Sequence, residues 1–68
     1  RIDYYTGYVN KNKSNISYIF VDTEDIPCHP KDFECPNKTA QFIALLKNNF
    51  EISYYKKING NEQFIFSQ

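Results

Sequence analysis

Sixty-eight residues with eight basic and eight acidic side chains, six Tyr, six Phe, no Trp or Met, two Gly and two Cys describe one small, formally neutral domain. A chain this short buries only about 60% of its unfolded surface, which leaves no room for an enclosed active-site cavity. Zero net charge argues against holding nucleic acid or an anionic membrane by bulk electrostatics, and no apolar run reaches the roughly eighteen residues of a membrane span. The chain begins at Arg1 rather than Met, so residues 1–68 are expected to be a single soluble domain excised from a larger protein.

Aromatic and β-branched residues dominate from Ile2 to Asn10, which reads as a first strand with a bend or bulge at Gly7 and Val9 as the best core candidate. The polar run Asn10 to Asn15 is a turn by composition, and Ile16 to Val21 returns as the second strand of a hairpin. After a short turn at Asp22-Thr23-Glu24, Asp25 to His29 reads as a brief third strand stopped by Pro30, which cannot donate to a ladder. Pro30 to Pro36 lacks periodicity and is expected to be loop.

Thr39 to Lys47 contains good helix formers, and Phe42, Ile43, Leu45 and Leu46 are spaced to form one apolar face, with Asn37 or Thr39 as the cap. From Asn49 to Tyr55, Phe50, Ile52 and Tyr54 alternate with Glu51, Ser53 and Tyr55 as a half-buried fourth strand. Asn59-Gly60 is a type I′ hairpin signal, and Glu62 to Ser67 closes the chain as a fifth strand. These elements predict an all-β fold: a small five-stranded antiparallel OB-type barrel with a short helix between the third and fourth strands.

The functional clue lies in Ser17-Tyr18-Ile19-Phe20-Val21. Side chains alternate along a strand, so Ile19 and Val21 enter the core while Tyr18 and Phe20 stand together on the other face. Unpaired bases present π-faces, and stacking on an aromatic ring contributes about 1–3 kcal/mol per base. The competing reading of the two rings is ordinary packing against another element.

Thr6-Gly7-Tyr8-Val9, Ser17-Tyr18-Ile19-Phe20-Val21 and Asp25-Ile26-Pro27-Cys28-His29 resemble, in order, the opening strand and the two ribonucleoprotein motifs of the cold-shock domain. That resemblance implies the OB barrel and binding of single-stranded RNA or DNA by Tyr18 and Phe20, flanked by His29. Lys11, Lys13 and Lys31 in adjoining loops are the candidate phosphate contacts. The chain departs from the family where Lys11-Asn12-Lys13 replaces its Trp-Phe-Asn and where Pro27 and Pro30 replace its second-motif phenylalanines.

A cytoplasmic or nuclear protein without a membrane role is expected, and neutral charge implies weak binding in isolation, assisted by other domains of its parent. One alternative is the same barrel as a protein-interaction module. Another is a secreted domain closed by a Cys28–Cys35 disulfide and bearing glycans at sequons that start at Asn12, Asn15 and Asn37. Inside a barrel Cys28 would instead point inward as a free, reduced thiol. Two Cys with one His fall short of a structural zinc set, and no nucleophile elbow, P-loop or dinucleotide turn occurs. No metal, cofactor or catalytic residue is therefore expected.

Overall fold

The computed structural model describes residues 2–68, and their architecture is mixed. Helix α1 (Ile2–Asn12) leads through a 3₁₀ turn (Lys13–Asn15) into strand β1 (Tyr18–Asp22), and a second 3₁₀ turn (Thr23–Asp25) precedes the disulfide loop. Helix α2 (Cys35–Asn49), strand β2 (Glu51–Ile58) and strand β3 (Asn61–Ser67) complete the fold. The sheet is open, antiparallel and three-stranded, in the order β1-β3-β2.

This overturns the five-stranded OB-type barrel, and with it the fold that the cold-shock resemblance implied. Ile2 to Asn10 is helical because its apolar residues also fit the period of 3.6: Ile2, Thr6 and Val9 turn inward while Tyr4, Tyr5 and Tyr8 remain exposed. Asp3 in the first turn and Lys11 in the last complement the helix dipole. Gly7 sits in the helix interior, where no bend or bulge forms. Asp25 to His29 is not a strand either. Asp22 instead caps the 3₁₀ turn by accepting from the Glu24 N–H at 2.9 Å, and the chain leaves the sheet.

Helix α2 begins four residues earlier than its apolar face foretold. Asp32 Oδ1 accepts from the backbone N–H of Glu34 and of Cys35, both at 3.2 Å, and Pro36 occupies the first turn, where its missing N–H costs nothing. The cap is therefore built before Asn37 and Thr39. The Cys28–Cys35 disulfide, with Cα atoms 5.6 Å apart, ties the loop to this helix start, so Cys28 is not the free thiol expected of a barrel interior.

Phe42 and Leu46 of α2 and Val9 of α1 join Val21, Phe50, Phe64 and Phe66 in one core, with Ile16, Ile19, Ile26, Ile43 and Leu45 packed around it. Both helices thus cover one face of the sheet, and the other face has no layer over it. The β2–β3 hairpin turns at Asn59 (φ 51°) and Gly60 (φ 83°), the type I′ geometry its Asn-Gly sequence demands.

Candidate functional site

Register defines the uncovered face. Ile19 pairs with Phe66 and Val21 with Phe64, so these four side chains point to the helices. Tyr18, Phe20 and Asp22 pair with Ser67, Ile65 and Gln63 and therefore point away from them. On the far side of β3, Glu51, Tyr54 and Lys56 stand opposite the same Ser67, Ile65 and Gln63.

Three rows run across the open face. The middle one is apolar: Phe20, Ile65 and Tyr54, with Phe20 61% and Tyr54 42% exposed. The row on one side is Tyr18, Ser67 and Glu51, with Tyr18 73% exposed. The row on the other is Asp22, Gln63 and Lys56, where Gln63 Nε2 donates to Asp22 Oδ2 at 3.0 Å. An irregularity at Ser53 brings Tyr54 onto this face: the ladder shifts between Ile52 and Tyr54, and Ser53 Oγ donates to the Ile65 carbonyl at 3.1 Å. The simple alternation expected of the fourth strand breaks there, so Ile52 and Tyr55 share the opposite side.

Tyr18 and Phe20 stand side by side as the strand parity predicts. The other four residues singled out for binding lie elsewhere. Lys11 is in the last turn of α1, and Lys13 is in the following 3₁₀ turn, where its carbonyl accepts from Gln68 Nε2 at 2.8 Å. His29 and Lys31 lie in the disulfide loop, where His29 Nδ1 accepts from the Lys31 N–H at 3.1 Å. His29 lines a separate cleft of about 430 Å³ at the helix starts, with Asp3, Asp32 and Lys38. His29 and Lys31 therefore do not stand beside Tyr18 and Phe20, because the expected third strand that was to bring His29 there is absent.

Two ionisable side chains have perturbed affinities. Tyr55 donates its hydroxyl to Glu62 Oε2 at 2.7 Å, and that hydrogen bond raises its pKa above the ordinary phenol value. Lys38 bonds Asp3 Oδ2 at 3.0 Å, linking the starts of the two helices, and the bond raises the ammonium pKa. Among the described residues, no group of three or more His, Cys, Asp or Glu is placed to hold a metal ion.

A second feature borders the sheet. Between α1 and the outer edge of β1 runs a groove of about 700 Å³, lined by Tyr5, Tyr8, Ile19, Val21, Ile26 and Phe42 among others. Sequence reasoning missed both this groove and the contributions of Ile65 and Tyr54. The Asn-Gly turn carries the β2–β3 register near the hairpin, but no local signal reports the pairing of β1 with β3.

No protein-family model matches the chain, and comparison with curated proteins and with solved structures finds no match.

Proposed function

We propose that this domain is a protein-binding module of an oxidising compartment, and that it docks a partner on the open face of its sheet. The observation that carries this reading is the Phe20, Ile65 and Tyr54 row, in which two exposed rings flank a half-buried Ile65 between polar neighbours on either side. Protein interfaces have that anatomy, an apolar core rich in Tyr and Phe within a polar rim. Tyr and Phe also supply large contact area with only two side-chain torsions to immobilise.

Charge favours a protein partner over a nucleic acid strand. The face carries the carboxylates of Asp22 and Glu51 against the single ammonium of Lys56, whereas a groove that tracks phosphates needs a basic excess. The Cys28–Cys35 disulfide supports an oxidising location, since such bonds persist in secreted and lumenal proteins. Two sequon asparagines, Asn15 and Asn37, are exposed and lie outside the strands of the sheet.

The test screens the disulfide-intact domain against an array of secreted and cell-surface ectodomains, then titrates each hit with wild type and with the Phe20→Ala, Tyr54→Ala double variant. The double substitution is expected to weaken binding by at least about tenfold, because interface energy concentrates in a few central aromatic residues. A hit indifferent to both substitutions overturns the proposal. So does a single-stranded oligonucleotide that binds the wild type and is lost from the double variant.

A further inference from the structure

The sheet has two edges, and they differ in a way that points to a second occupant. The β2 edge carries the usual protections against strand pairing: Glu51, Lys56 and Lys57 along its length and the irregularity at Ser53. The β1 edge carries none. Tyr18-Ile19-Phe20-Val21 is uncharged, regular and free of proline, and only Asp22 at its end is ionic.

The backbone of β1 is left half unpaired. Gln68 N–H donates to the Ser17 carbonyl at 3.1 Å, which fixes the alternation of the β1–β3 ladder. Residues 17, 19 and 21 therefore bond to the β3 side, and the N–H and C=O groups of Tyr18, Phe20 and Asp22 face outward. The Asp22 carbonyl also opens the following 3₁₀ turn as its N-cap, so the groups of Tyr18 and Phe20 and the Asp22 N–H are the ones left for a further strand.

We infer that the occupant of this edge is a second copy of the chain, joined through an antiparallel β1–β1 pair with its two-fold axis at Phe20. In that register Phe20 faces Phe20, and Tyr18 of each copy faces Asp22 of the other. Each outward donor then meets an outward acceptor, the Asp22 carbonyl using its second lone pair beside the bond it gives the 3₁₀ turn. The same axis makes the apolar row continuous, running from Tyr54, Ile65 and Phe20 of one copy into Phe20, Ile65 and Tyr54 of the next. A register displaced by two residues would set Phe20 against Tyr18 or Asp22 and break that row.

On the helical side, Ile19 and Val21 of the second copy arrive beside the groove that Tyr5 and Tyr8 leave open. Zero net charge lets two copies approach without long-range repulsion. The backbone edge carries this inference, which goes beyond the docking reading of the open face.

The test is sedimentation equilibrium of the wild type, Phe20→Lys and Phe20→Glu, each alone up to about 1 mM, and then of the two variants mixed. Phe20 is exposed in the monomer, so both variants keep the fold, which far-UV circular dichroism checks. Wild type is expected to dimerise. Each variant alone is expected to lose dimerisation by at least about tenfold, because like charges then face each other across the axis. The mixture is expected to dimerise again, because opposite charges meet. A monomeric wild type overturns the inference, as does a dimer insensitive to either charge or an unrestored mixture. A monomeric wild type leaves the ectodomain titrations unaffected, and a Tyr54→Ala variant, which keeps Phe20, reads the docking face apart from the dimer axis, so the two readings fail separately. An extended peptide that binds the edge of a wild type still monomeric at these concentrations also overturns it.

Discussion

Phe64 and Phe66 stack on one face of β3, ring centroids 5.2 Å apart and 17° from parallel, and both belong to the core that joins the sheet to its helices. Tyr55 packs against Phe64 at 5.0 Å from the outer side, and Lys47 Nζ lies 5.5 Å above the same ring. Both phenylalanines are almost wholly buried, at 1% and 0% exposure.

Truncating Phe66 to Ala is therefore expected to cost about 3–5 kcal/mol. That is comparable to the whole stability of a domain this small. Urea denaturation followed by circular dichroism should show the cooperative transition of the wild type and none for Phe66→Ala at 37 °C.

Removing the disulfide with Cys28→Ser and Cys35→Ser should cost about 2.5 kcal/mol by the loop-entropy relation, given the seven-residue separation. The loss should be felt first at the start of α2, where the bond and the Asp32 cap meet. Hydrogen exchange should then quicken in the first turns of that helix and remain slow in β3.

Gly60 holds φ at 83°, and a Cβ there would meet nothing within 4 Å. Gly60→Ala is expected to destabilise by about 1 kcal/mol through backbone strain alone. Asn59→Gly, at the other positive φ, should change stability by less. Paired thermal melts distinguish the two.

The Tyr55 pKa is raised by its hydrogen bond to Glu62. A group whose folded pKa is raised contributes stability that is present below its unfolded value and lost as pH climbs through the folded one. The Tyr55 contribution thus disappears in the alkaline range, above the ordinary phenol value of 10.0. Glu62→Gln should lower the Tyr55 midpoint toward that value, as followed by its ring resonances in an NMR pH titration.

The sequence was most legible where a local pattern and the tertiary outcome agree. The Asn59-Gly60 turn, the strand that follows it, the apolar face of α2 and the opposed parities of Tyr18/Phe20 and Ile19/Val21 all follow from local spacing. Ile2 to Asn10 reads as a strand because Tyr4, Tyr5 and Tyr8 favour a pleated surface by type, while the spacing of Ile2, Thr6 and Val9 is helical. Here the period, set by burial, overrode residue preference. The early start of α2 was hidden because its cap comes from Asp32, three residues before the helix. As for the site, Phe20 was visible and its row was not, since Ile65 and Tyr54 join it only through pairings between distant segments.

The strand order has a consequence for biosynthesis. β3 lies between β1 and β2, yet it is the last of the three to be translated. While the ribosome still holds residues 61–67, Tyr18 to Asp22 has no neighbour to bond and α2 has no sheet to cover. Completion of the sheet is thus deferred until that third strand has emerged, and the nascent β1, still bare, is the stretch a chaperone would have to shield.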